Sequence, residues 1–125
     1  MMNKEIIIFL CGLHSLFFAI FHVGFWKLLR WKTELKKVSL PNRAVMQMLN
    51  IQLIIVALFM AYLCFFFAKD LYSTNVGRAI LGGMAVFWLV RLIGQFIFLR
   101  INNKTVHFVT ALIVIGIILF LLPIL

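Results

Sequence analysis

The sequence predicts an all-α, polytopic membrane protein built as a four-helix transmembrane bundle, and three observations carry that prediction. The 125 residues are 66% hydrophobic with a mean hydropathy of +1.17, far outside the averages of soluble domains. Only 12% of the residues are charged, against about a quarter in soluble domains, and those few are bunched between apolar runs. Four of the runs reach the roughly 20 residues that a helix needs to cross about 30 Å of hydrocarbon; they lie at about 5–26, 44–68, 78–99 and 105–123. None alternates with period two, and lipid offers no partners to backbone N–H and C=O groups, so helices are the spanning structure expected. The whole chain, 1–125, reads as a single transmembrane domain.

The first run follows MMNKE and exceeds the 7–15 apolar residues of a signal peptide. It holds His14 and His22 and runs into a basic segment without a small-residue cleavage site, so it is read as helix one. The stretch WKLLRWKTELKKVSL, 26–40, mixes Trp26, Trp31, Leu28, Leu29, Leu35 and Val38 with Lys and Arg. It is expected to prolong helix one into the headgroup zone as a solvated, lipid-facing segment, with tryptophans at the interface and basic stems snorkelling. Pro41 should then break the chain and Asn42 should cap helix two. KDLYSTNVGR supplies the next turn, with Ser73, Thr74 or Asn75 capping helix three, and INNKT does the same before helix four. Ala79 and Gly83 form a small-xxx-small pair that lets another helix approach closely, within the subunit or across an oligomer. Cys11 and Cys64 read as small buried hydrophobes, with a disulfide between helices one and two as the alternative.

Charge sets the expected orientation. The 27–43 segment carries Lys27, Arg30, Lys32, Lys36, Lys37 and Arg43, and the 100–104 turn adds Arg100 and Lys104. The opposite side has only Lys4, Lys69 and Arg78. This asymmetry places both basic loops in the cytoplasm and both termini outside, as for a protein of the bacterial inner membrane. The formal net charge of +9 is not read as a nucleic-acid footprint, because the cations sit beside membrane ends, where they set topology and meet anionic lipid.

Six polar residues of the spans fall in the cytoplasmic half. His22 lies late in helix one, Gln47 and Asn50 early in helix two, Arg91 and Gln95 inward of the middle of helix three, and His107 at the start of helix four. Arg91 and Gln95 are i,i+4 and Gln47 and Asn50 are i,i+3, so each pair projects to one side of its helix. Amides in such positions commonly tie membrane helices together. Arg91 is different, because the only acids are Glu5, Glu34 and Asp70, all near membrane ends. Its expected partners are therefore Gln95, Gln47 or Asn50, carbonyls, water or a bound anion, and an intramembrane arginine is a site hypothesis by default. The candidate ligand-binding set is Arg91, Gln95, Gln47, Asn50, Arg43 and His22.

Other chemistry finds little footing. His14 and His22, eight residues apart, stand about 12 Å apart and about 80° around a helix, an arrangement in which they do not easily share a metal. A bis-histidine haem would need one of them opposite His107, and no metal site is expected. GxSxG, P-loop and paired-carboxylate patterns are absent from the sequence, which speaks against the usual hydrolases and leaves no catalytic residue assigned.

The two arginine registers, Arg43-Ala-Val-Met-Gln47-Met-Leu-Asn50 and Arg91-Leu-Ile-Gly94-Gln95-Phe-Ile-Phe98, resemble those of the MAPEG family, membrane-associated proteins in eicosanoid and glutathione metabolism. Those proteins are small four-helix membrane proteins with R-x3-N-x2-E in the second helix and R-x2-H-T-x2-Y in the third. Length, span number, orientation and the basic first loop are similar. Gln47 stands where the family has Asn, Asn50 where it has Glu, Gly94 and Gln95 where it has His-Thr, and Phe98 where it has Tyr. The resemblance implies a trimer binding glutathione at subunit interfaces near the cytosolic side, with arginine stabilising a thiolate. With the Glu and Tyr positions replaced, it implies at least an anionic ligand held by Arg43 and Arg91 through forked hydrogen bonds.

The expected protein is therefore a four-helix membrane protein whose polar cluster packs helices and binds a small anionic or lipid ligand. The alternatives are a divergent glutathione-dependent transferase, an accessory subunit of a larger membrane complex and a haem-binding electron carrier. Its expected partners are the lipid bilayer and further copies or other membrane subunits.

Overall fold

A computed structural model describes residues 3–125, and the described residues are helical with no strand. The elements in chain order are α1 (Lys4–Val23), α2 (Phe25–Leu28), α3 (Trp31–Glu34), a 3-10 turn (Leu35–Lys37), α4 (Leu40–Phe66), α5 (Ala68–Ser73), α6 (Asn75–Phe98) and α7 (Lys104–Leu121). Four of them, α1, α4, α6 and α7, are long and apolar enough to cross a membrane, and they fall where the four apolar runs predict. The described residues form two compact units. One gathers the residues up to Cys11 with Leu63–Leu125, and the other is Gly12–Tyr62.

In the Gly12–Tyr62 unit the segment after α1 does not prolong that helix. The Gly24 N–H bonds back to the carbonyls of Ile20 (3.2 Å) and Phe21 (3.1 Å), and the chain then turns through Arg30, which adopts a left-handed conformation (φ 53°, ψ 44°). An L-residue there costs about 1–2 kcal/mol. That cost is offset by what the turn buries. Trp31 and Leu35 are buried, and the Trp31 ring meets Trp26 (5.3 Å) and Phe25 (6.0 Å) edge-on. Two indoles, a phenyl ring and a leucine bury more apolar surface by folding back than by lying along the headgroup zone, which is why the expected helical extension does not form.

The start of α4 also differs from expectation. Pro41 sits inside the first turn, where its missing N–H is one of the unpaired donors in any case. Ser39 occupies the cap position, its carbonyl accepting from the Arg43 N–H (2.9 Å). Asn42 is not the cap; its Nδ2 donates to the Ser39 hydroxyl (3.0 Å).

In the other unit α6 packs along α7, and α5 packs against the start of α6. Leu81, Ala85 and Trp88 from α6 are buried, as are Val109, Ile113 and Phe120 from α7. Thr74 caps α6, accepting from the Gly77 N–H (2.9 Å) while its hydroxyl donates to the Asp70 carbonyl (2.7 Å). Asn103 caps α7, its Oδ1 accepting from Thr105 N (2.7 Å) and Val106 N (3.2 Å). Cys11 and Cys64 are free and buried, and the Cys11 thiol donates to the Leu119 carbonyl (3.1 Å).

Within the chain, close backbone approach falls at Gly77 and not at Gly83. A Cβ on Gly83 would meet no atom within 4 Å, whereas one on Gly77 would fall on the Asp70 carbonyl oxygen and Leu71 Cα and lie 2.6 Å from the Leu71 oxygen. All three obstacles are backbone, so no side chain can rotate to make room. Gly77→Ala is expected to lower stability by about 1–3 kcal/mol, the usual overpacking cost, measured by thermal unfolding in detergent. Gly83→Ala should leave the melting temperature within a degree or two of wild type.

Candidate functional site

The early end of α1 explains one polar residue at once. The His22 carbonyl belongs to the last turn, where a helix leaves its C=O groups without partners, and the Asn50 side chain donates to it (2.8 Å). Asn50 is buried, so in lipid its amide would otherwise be costly. The His22 ring bonds through Nδ1 to the Phe18 carbonyl (2.7 Å) and stacks obliquely on Phe25, with ring centroids 4.4 Å apart. One turn before Asn50, Gln47 accepts from Trp26 Nε1 (3.1 Å) and donates to the Arg43 carbonyl (3.2 Å). The i,i+3 amide pair thus ties α4 to the end of α1 through Asn50 and to the folded-back segment through Gln47.

That segment and α4 enclose a cleft of about 420 Å³ lined by Trp26, Trp31, Lys32, Leu35, Lys36, Arg43 and Gln47. Three of the seven are cations and none is an acid. Glu34, the nearest acid in sequence, is paired with Lys37 (3.1 Å). Two indoles beside three cations form an amphipathic lining, suited to an anionic head on an apolar body.

The Arg91 group in the α6–α7 unit is built differently. Arg91 Nη1 donates to Gln95 Oε1 (2.6 Å), and Gln95 Nε2 donates onward to the Val106 carbonyl (3.3 Å) and Thr110 Oγ1 (3.1 Å). Thr110 in turn donates to Val106 (2.9 Å). Gln95 is 1% exposed and has both ends of its amide bonded. It ties α6 to α7 while supplying the oxygen that accepts from the guanidinium. Beside it, the turn between the two helices holds a smaller cleft of about 290 Å³, whose lining includes Gln95, Arg100, Asn102, His107 and Thr110. Here His107 Nε2 is paired with Asn102 Oδ1 (2.8 Å).

Each candidate site residue therefore has a place. Arg91 bonds Gln95 as its i,i+4 spacing predicts, Arg43 and Gln47 share the larger cleft, and His22 meets Asn50 through its backbone. Sequence reasoning missed Thr110, because a threonine on an apolar helix gives no signal until its neighbour is known. It also missed Trp26, Trp31, Lys32 and Lys36 as cleft walls, having placed them at the lipid interface. Among the described residues no group of three or more His, Cys, Asp and Glu is arranged to hold a metal. The fold and these sites define a multi-pass, all-α membrane protein. No family model, curated protein or solved structure matches the chain.

The role of Gln95 can be read from two substitutions. Thr110→Val removes one interhelical bond and should cost about 0.6 kcal/mol, the average for such bonds in membranes. Gln95→Leu also strips the guanidinium of its acceptor and should cost about 2–3 kcal/mol, as hydrogen bonds to charged groups do. Equal destabilisation in unfolding titrations would show that Arg91 draws no support from Gln95.

Proposed function

We propose that this protein binds an anionic ligand, a phosphate-bearing lipid headgroup or a small anion of similar chemistry, in the cleft between the 26–36 segment and α4. The observation that carries the reading is the lining itself: Lys32, Lys36 and Arg43 with Trp26 and Trp31, and no acid among them. The positive-inside count supports a reading in which this cleft faces the cytoplasmic side of a bacterial inner membrane, with both termini outside. Anionic lipid is enriched on that side, and each nearby Lys or Arg contributes about 1 kcal/mol of attraction. Arg91 and Gln95 then serve mainly to pack α6 against α7. They give ligand binding a second locus only through the Arg100 and His107 cleft beside them.

A divergent MAPEG-like, glutathione-dependent reading is supported by one particular point: Arg43 and Gln47, in the register that resembles the family, both line this cleft. Glutathione carries carboxylates and a thiol, so it belongs among the anions to be tried.

Thermal unfolding in a neutral detergent separates these readings. Ligand at a hundredfold excess over Kd stabilises by about 2.7 kcal/mol, so phosphatidylglycerol should raise the melting temperature of wild type clearly. The rise should shrink in Arg43→Lys, which loses the planar donor fork, and should disappear in Lys32→Ala/Lys36→Ala/Arg43→Ala. A rise with inorganic phosphate alone would assign a small anion, and one with glutathione alone the MAPEG-like reading. If every anion acts equally on wild type and the triple variant, the cleft binds none of them.

A further inference from the structure

The midpoint of α4 carries a polar side chain that neither cleft uses. Gln52 is the thirteenth residue of this 27-residue helix, which is about 40 Å long, so the amide lies close to the middle of the hydrocarbon. Its side chain spans three carbons and cannot reach either interface. Yet Gln52 is exposed and its side chain has no hydrogen-bond partner among the described residues. Its neighbours at helical spacing, Met48, Leu49, Ile55, Val56 and Phe59, are exposed as well. They form one apolar stripe along the helix with the amide at its centre.

An amide facing lipid keeps two donors and one acceptor oxygen unsatisfied where no water can reach them, which is costly. Polar residues at this depth turn towards protein. From this we infer that a second copy of the chain covers the Gln52 face of α4, the two Gln52 amides bonding each other across a two-fold axis along the membrane normal. Two features favour a second copy over a different protein. An amide is self-complementary, since the NH2 of each can donate to the carbonyl of the other. Two copies inserted with the same topology also present Gln52 at the same depth by symmetry. A parallel, isologous pair therefore satisfies both groups with one contact, the pattern by which a single amide at a helix seam sets register and oligomeric state.

Sedimentation equilibrium of the full chain in detergent, and mass photometry in nanodiscs, test this directly. Wild type should be dimeric, Gln52→Leu should dissociate at least tenfold more readily, and Gln52→Asn should keep part of the affinity. Gln52→Leu replaces a lipid-exposed residue, so its melting temperature in monomeric form should match wild type. Cysteine placed at 45, 52 or 59 in a Cys11→Ser/Cys64→Ser background should give oxidised dimers in membranes, whereas cysteine at 97 on α6 should not. A wild type that stays monomeric in nanodiscs overturns the inference. So does an oligomer indifferent to Gln52→Leu, or one that cross-links at 97 and not along the α4 stripe.

Discussion

Lipid can neither donate nor accept a hydrogen bond, and the bonding of Asn50, Arg91 and Gln95 follows from that constraint. A helix satisfies its own backbone except at its ends, so the chain needs extra partners wherever a helix stops. The Asn50 amide on the His22 carbonyl is such a partner, and it permits α1 to end at Val23. With that end secured, the chain can fold back through the left-handed Arg30 and bury Trp31 and Leu35. The basic cleft exists because of this fold-back: Lys32 and Lys36 line it with Arg43 only because the segment returns to α4.

The same constraint governs Arg91. A guanidinium has five donors and no way to lose its charge in practice. With Glu5, Glu34 and Asp70 all near helix ends, a carboxylate was never available to it within the span. Gln95 meets part of the need with one oxygen, and its NH2 is bonded in turn by Val106 and Thr110. Such a chain of bonds holds the acceptor in place while joining two helices. An arginine and an amide one turn apart are thus structural without excluding an anion at the remaining guanidinium donors.

Packing in this protein is tight where helices meet through backbone and loose over the faces turned to lipid. Gly77 lies against the α5 backbone with no room for a methyl group, although nothing around it in sequence marks it above Gly82 or Gly83. Exposed apolar side chains along α4 are ordinary for a membrane helix. The exposed amide among them is what distinguishes that face.

The sequence by itself determined the fold class and the four spans, because hydrocarbon thickness imposes a length and composition that 125 residues either meet or do not. It also pointed to the Arg91 to Gln95 contact, to a cap for α6 among Ser73, Thr74 and Asn75, to a cap within INNKT before α7, and to the burial of both cysteines, since these depend on local spacing and on surroundings a few residues wide. Only the tertiary structure decided that the 26–40 segment folds back instead of continuing α1, that Ser39 rather than Asn42 caps α4, and that Lys32, Lys36 and Arg43 share one cleft. Gly24 and Arg30 are compatible locally with either course. The choice rests on how much of Trp26, Trp31 and Leu35 can be buried against residues distant in sequence, and pairwise burial of that kind is a property of the folded chain that no local pattern records.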